Sequence, residues 1–346
     1  MSSIEPGPGD IAPALFSKTS RPRSILFWLV SLLGMAALIV AVLHFGSPER
    51  LAALARSVRP GWLLLAVLLQ CATYVCAAMV WHQALRRANC PMPLRTLAPL
   101  AVAKLFTDQI LPSGGISGTM LVASGLMRRR IRPEMALAAM LVGLISFDIA
   151  YLIAVIGSAA ILRIHQHATL TLLFGLAIFV LVTIAIPSAV LGVRRWGEGK
   201  LFAWLGRVLG MTATFRALAK APADLLRNPV LLAQASGLQF AIILLDAGTL
   251  WVAFRSIGEA PQFWIVFVSF AIASMVATIG PIPIGLGTFE AGSVGMLRFL
   301  GVPIEAALAA TLLLRLLTFW LPMLPGIWLA RREVADSQGV NRIVRL

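Results

Sequence analysis

Charge is scarce in this 346-residue chain: Asp, Glu, Lys and Arg together make up 12% of it, against about 25% in an ordinary soluble domain. No polar segment is long enough to fold as a water-facing domain of usual size, so a separate soluble catalytic module is excluded. Cysteine is down to 3 residues. Cys71 and Cys76 share one apolar run and Cys90 lies in a loop, which gives neither a disulfide framework nor a zinc pattern. They serve as small packing residues. A nucleophile elbow, a Walker loop, a zinc motif and a sugar-nucleotide signature are also missing. The sequence therefore assigns no catalytic residue, no metal ligand and no cofactor. His165 and His167, in a short loop, read as solvated side chains.

Apolar residues fill the space left by charge: 59% of the chain is hydrophobic and its mean hydropathy is +0.90. Runs of about 20 apolar residues recur throughout, each long enough to cross a hydrocarbon core of about 30 Å. The clear spans are Ile25–Phe45, Trp62–Leu85, Glu134–Leu162, Ala168–Gly192, Pro229–Phe254 and Ile304–Ala330. The first follows a Ser-, Pro- and Gly-rich tail without a small-residue cleavage site, so it is expected to be retained rather than removed as a signal.

Two further apolar regions are interrupted. Leu97–Met127 breaks at Leu111-Pro112-Ser113-Gly114-Gly115-Ile116-Ser117-Gly118, and Gln262–Leu300 breaks at Gly280-Pro281-Ile282-Pro283-Ile284-Gly285-Leu286-Gly287. Proline removes a backbone donor and glycine disfavours helix, so both regions should be two half-helices joined by irregular backbone. Arg86, Arg87 and Arg95 precede the first region and Arg128, Arg129, Arg130 and Arg132 follow it. Basic flanks on both sides predict a re-entrant hairpin that leaves and returns to the cytoplasmic face. The second region, between weakly charged loops, should enter from the opposite face.

This topology places about 21 of the 29 Lys and Arg residues inside and about 5 outside, which accounts for the net charge of +15 by the positive-inside rule and without nucleic acid. The loop Val193–Asn228, which mixes aromatic and basic residues, should lie on the inner surface. The expected fold is all-α: a polytopic membrane helix bundle of six full spans plus two re-entrant helical hairpins, arranged as an inverted repeat with halves 25–162 and 168–330. Residues 1–24 and 333–346 form cytoplasmic tails around the membrane domain, 25–332. Inverted repeats with broken helices meeting near the midplane are a recurrent transporter architecture.

Seven ionisable residues fall in apolar surroundings: Lys104, Asp108, Asp148, Asp246, Glu290, Arg298 and Arg315. At about 2.5–3.5 kcal/mol each on an insertion scale, they must face one another or water. Lys104 and Asp108 are four apart and can pair along one helix face. Glu290 and Arg298 are eight apart, again on one face, and Asp148 and Arg315 are candidate partners between the halves. A static salt bridge that fixes helix packing is the plain alternative for each. Gly114 and Gly118, like Ala291 and Gly295, have the small-xxx-small spacing of close helix packing. A half-helix starting near Thr288 would turn its positive end inward, towards an anionic group.

The stretch from Pro281 to Glu290, then Gly301-Val302-Pro303, then Ala306–Arg315 with Leu316, resembles the lysylphosphatidylglycerol synthase transmembrane family, also called the flippase-like domain family. That family shows a P-x-G-G-x-G-x-x-E turn, here with Ile284 in place of the first paired glycine. Leu111-Pro112-Ser113-Gly114-Gly115 looks like its first L-P-(G/S) turn and Asp148 like the Asp of its next span. Thr107, Asp108 and Gln109 stand where many members carry Asn, and Ser117-Gly118 where they carry Glu. The resemblance runs from about Ser24 to Arg332. It implies a bacterial inner-membrane protein with both termini cytoplasmic, related to lipid flippase domains. It also implies no synthesis of the aminoacyl lipid, since the transferase domain of some relatives is not seen.

The leading expectation is a non-enzymatic carrier that flips an anionic or glycosylated lipid. The seven charges would line its path, and Pro112, Gly114, Gly115, Pro281, Pro283, Gly285 and Gly287 would form its helix breaks. Membrane lipids are the expected partners, with enzymes of an envelope lipid pathway beside them. The alternatives are a membrane-embedded transferase on a lipid-linked substrate, with a buried carboxylate as base, and a non-catalytic accessory subunit of such a pathway.

Overall fold

Prolines start the long helices, as the missing N–H of proline costs nothing in a first turn. In a computed structural model of the chain, Pro60, Pro133 and Pro229 open α1 (Pro60–Arg87), α4 (Pro133–Ile164) and α6 (Pro229–Ser256). Between and after them lie α2 (Leu94–Ile110), α3 (Ile116–Arg128), α5 (Ala223–Arg227), α7 (Phe263–Ile279), α8 (Thr288–Phe299) and α9 (Ile304–Arg315). The described residues are 58–110, 116–167, 223–279 and 287–323, with single positions at 49, 54, 175, 177, 180, 181, 325, 326, 328 and 329. The predicted spans Ile25–Phe45 and most of Ala168–Gly192, both tails, and the breaks Pro112, Gly114, Gly115, Pro281, Pro283 and Gly285 lie outside them.

Helix ends are closed by one recurring device. Asn89, Arg130, Gln166, Gly258 and Gly301 take positive φ after α1, α3, α4, α6 and α8. The next residue's N–H then returns to the helix, as in Cys90 to Leu85 O at 2.9 Å and Val302 to Leu297 O at 3.0 Å. This satisfies a terminal carbonyl that lipid could not.

Among the described residues every element is helical. α1, α4, α6 and Ile304–Met323 are long and apolar enough to cross a membrane, in agreement with four of the predicted spans. The protein is a multi-pass membrane protein. α9 passes directly after Arg315 into a π-helical turn, Leu316–Trp320. The two interrupted regions are helix pairs, as expected. Their members have 12 to 17 residues, so each is about 18–26 Å long and short of a full crossing.

Within each pair the helices run antiparallel. Gly118 N lies 2.8 Å from Asp108 Oδ1, while Leu97 and Leu126 share the opposite end. The Phe270 and Phe289 rings meet at 5.7 Å, while Trp264 and Phe299 both pack on the His165–His167 turn. α1 and α6 are antiparallel too, because Arg59 N donates to Ser256 O at 2.9 Å while Leu85 and Leu231 share a cluster.

Two apolar clusters mark the ends of the bundle. One joins α2–α3 to the end of α1 and the starts of α4 and α6, through Leu85, Leu97, Leu126, Ala136 and Leu231. The other joins α7–α8 to the ends of α4 and α6 and the start of α9, through Leu162, Phe254, Val266, Leu297 and Ala306. The contacts α1–α2, α2–α3, α3–α4 and α1–α4 recur as α6–α7, α7–α8, α8–α9 and α6–α9.

Small residues seat the helix pairs, but not all at the expected positions. A Cβ on Gly118 would stand 2.6 Å from Lys104 O, so that glycine is a packing residue. Around Gly295, however, there is open space, and Ala291 is exposed. Gly292 makes the approach instead, since its Cβ would come 3.2 Å from Ala273 Cα. The spacing was right for a face that turns away from α7.

Candidate functional site

The second helix pair carries its charge where α8 begins. Gly287, at φ 86°, caps the helix, and Glu290 Oε2 accepts its N–H at 2.6 Å. The other oxygen, Oε1, lies 2.7 Å from Arg315 Nε of α9. These two atoms form an ion pair. The Arg315 guanidinium also sits 4.3 Å from the centre of the Phe289 ring, so carboxylate and aromatic face both stabilise it. One turn further on, Ser293 and Thr311 hydroxyls meet at 3.0 Å. Glu290 is 0% exposed and Arg315 14%.

This arrangement corrects two sequence expectations. Arg315 pairs with Glu290 and not with Asp148. Arg298 lies exposed in the last turn of α8, where it complements the helix dipole far from Glu290. The inward positive end of α8 is answered by the chain's own carboxylate. The Thr288 hydroxyl beside it is buried without a hydrogen-bond partner among the described residues.

The first helix pair repeats the device with different neighbours. Asp108 Oδ1 accepts Gly118 N at 2.8 Å, and Oδ2 meets Lys104 Nζ at 2.6 Å, the i, i+4 pair that the spacing predicts. In both pairs one carboxylate holds a backbone N–H at the inner end and a cation. Their exposure differs: Lys104 and Asp108 side chains are 31% and 18% exposed.

A third group joins α1, α4, α6 and α7 well inside their ends. Gln70 Nε2 donates to Asp246 Oδ1 and to Thr249 Oγ1, both at 2.9 Å. Tyr74 and Tyr151, the chain's 2 tyrosines, both stand within electrostatic reach of Asp246, and Tyr151 hydrogen-bonds Ser274. The Tyr74 hydroxyl is buried without a hydrogen-bond partner among the described residues. Sequence reasoning found Asp246 and missed Gln70, Tyr74 and Tyr151. The available signal was that both tyrosines fall mid-span, where a buried hydroxyl needs a partner.

Asp148 lies one turn before Tyr151 on α4. It is half-buried, and its Oδ2 has no hydrogen-bond partner among the described residues. The seven charges thus do not form one cluster. Four neutralise each other in two pairs, Arg298 leaves the interior, and Asp148 and Asp246 remain as acids without a cation among the described residues. Hydroxyls, an amide and carboxylates at mid-depth can hold a polar headgroup or a proton.

The model of the lysylphosphatidylglycerol synthase transmembrane region matches residues 27–326. The chain is also 23% identical over 319 residues to a UPF0104 membrane protein of Methanothermobacter thermautotrophicus, covering 86% of this chain and 93% of that one.

Proposed function

Because the chain belongs to the family of lysylphosphatidylglycerol synthase transmembrane regions, we propose that it carries a lipid with an anionic or glycosylated headgroup from one membrane leaflet to the other. The headgroup passes through the polar interior while the acyl chains stay in the bilayer. One observation carries this reading: two short helix pairs, packed at opposite ends of the bundle, each bring a carboxylate, a cation and a backbone N–H to their inner ends. Charge at that depth is costly in lipid and is found where a membrane protein is wet.

The two pairs are re-entrant hairpins and the halves form an inverted repeat, six spans in all. The recurrence of the helix contacts supports this. So do the antiparallel α1 and α6, each of 28 residues beginning with proline. Gln70 and Gln239 occupy the same place in those two helices. The end bearing Arg86, Arg87, Arg95, Arg128, Arg130, Arg132 and Arg227 is the cytoplasmic one, in a bacterial inner membrane. The protein acts as a carrier rather than a transferase.

Proteoliposomes with fluorescent lipids of different headgroups test this. Faster leaflet exchange of at least one anionic or glycosylated lipid than in protein-free vesicles is expected, and equal exchange for all of them refutes it. A second reading, a non-transporting accessory subunit of an envelope lipid pathway, is favoured by the complete burial of Glu290. It requires that charge-neutral replacement of both Glu290 and Arg315 leave exchange unchanged.

A further inference from the structure

Asp246 is a partly buried acid inside the bundle, with no cation paired to it among the described residues. Lys104 is held by Asp108 and Arg315 by Glu290. The two apolar runs outside the described residues, Ile25–Phe45 and Ala168–Gly192, contain no Lys or Arg. Gln70 of α1 hydrogen-bonds Asp246, Tyr74 of α1 and Tyr151 of α4 stand within electrostatic reach of it, and Ser274 of α7 hydrogen-bonds Tyr151. All are neutral as ordinarily protonated, and the cationic residue of α9, Arg315, is paired with Glu290. Among the described residues, one amide donor stabilises an ionised carboxylate there, which is little against the cost of burying the charge.

We propose that Asp246 is a proton-binding site, at which the bundle takes up and releases a proton between its two antiparallel central spans. The carboxylate forms an O–H bond as a hydronium ion from bulk water breaks one of its own and leaves as water, and no other bond changes. A metal ion fits less well. Gln70 turns its N–H groups to Asp246 and Thr249, and the Thr249 hydroxyl is already bonded to Leu245 O at 2.8 Å. Among the described residues no cage of free oxygens surrounds the site, as sodium or calcium would need, whereas a proton needs one oxygen. The buried Tyr74 hydroxyl, without a partner of its own among the described residues, is a polar neighbour for the carboxylic acid. α1 and α6 form the most extensive helix contact in the bundle. A charge that appears and disappears there acts on the seam between the halves.

Infrared difference spectra between acid and alkaline buffer test the site on the full chain, in vesicles of phosphatidylethanolamine and phosphatidylglycerol. A carboxylic-acid carbonyl band that titrates with pH is expected, and Asp246→Asn removes it. Gln70→Leu moves the same band to higher frequency, because the carbonyl loses its amide donor, and this variant keeps the test alive if Asp246→Asn does not fold. A band unchanged in both variants overturns the proposal. So does one abolished at constant pH when sodium replaces choline. The transport reading enters only through a second arm, in which a proton gradient biases the leaflet distribution of fluorescent lipid in the wild type and not in Asp246→Asn. A titrating band with no lipid movement under any condition leaves the site standing and sinks the transport reading instead.

Discussion

Removing one partner of the Glu290–Arg315 pair strands a charge in the interior. Glu290 is 0% exposed and already holds the Gly287 N–H, and among the described residues Arg315 is the cation paired with it. Arg315→Leu should therefore cost about 3–5 kcal/mol, the usual penalty for breaking a buried pair. For a chain of this size that corresponds to a fall in Tm of about 5–15 °C. Glu290→Gln keeps an acceptor for the Gly287 N–H and takes the carboxylate's charge from the guanidinium beside Phe289, and should cost a similar amount. The double variant Glu290→Gln with Arg315→Leu has no uncompensated charge. It should recover most of the loss, since apolar or neutral replacements of a whole buried pair are often nearly neutral. Thermal unfolding of the four proteins in one detergent gives the cycle directly. Additive effects, or single variants within about 0.5 kcal/mol of wild type, would refute the view that this pair pins α8 to α9.

Lys104→Met should be milder in stability, by about 1 kcal/mol or less, because that pair is partly exposed and already screened by solvent; the same thermal assay reads it. Gly118→Val should cost more, about 1–3 kcal/mol, since the side chain meets Lys104 O and the Asp108 carboxylate and the helices must part. In a background without Cys71, Cys76 and Cys90, Gln166→Cys, Gly258→Cys and Gly301→Cys should react with an impermeant maleimide from one side of the membrane. Asn89→Cys and Arg130→Cys should react only from the other, and a mixed pattern would break the assignment of α7–α8 and α2–α3 to opposite ends.

Much of the fold is legible in the sequence because hydrocarbon imposes a simple rule: backbone must be helical and apolar for about 20 residues. The four long helices end within a few residues of the apolar runs, since Arg86, Arg132, Arg163 and Arg255 cannot follow into the core. Proline and glycine clusters likewise separate α2 from α3 and α7 from α8. Partner choice was legible only where it is local, as for Lys104 and Asp108. Glu290 and Arg315 lie on different helices, and nothing in their spacing says that α9 passes the start of α8. Arg298, close in sequence, is carried away to the bundle end by the length of α8. The Asp246 group draws on four helices, so only its rare residue types, the two tyrosines and a mid-span glutamine, hint at it.

The matched devices at the two inner helix ends make one further comparison possible within a single molecule. Gly118 and Gly287 each donate a backbone N–H to a carboxylate, at 2.8 and 2.6 Å, and each carboxylate also holds a cation. Their surroundings differ: the Lys104–Asp108 side chains are 31% and 18% exposed, the Arg315–Glu290 side chains 14% and 0%. Opening the first site moves an ion pair that water already reaches, at about 1 kcal/mol or less. Opening the second separates a desolvated pair, at about 3–5 kcal/mol. The difference, about 2–4 kcal/mol, corresponds to roughly a 30- to 1,000-fold ratio of open populations. In hydrogen–deuterium exchange of the reconstituted protein, the first turn of α3 should exchange well before the first turn of α8. Arg315→Leu should bring α8 towards the rate of α3 and leave α3 as it was. Equal exchange of the two turns in the wild type would mean that the burial of Glu290 contributes nothing to holding the second helix pair closed.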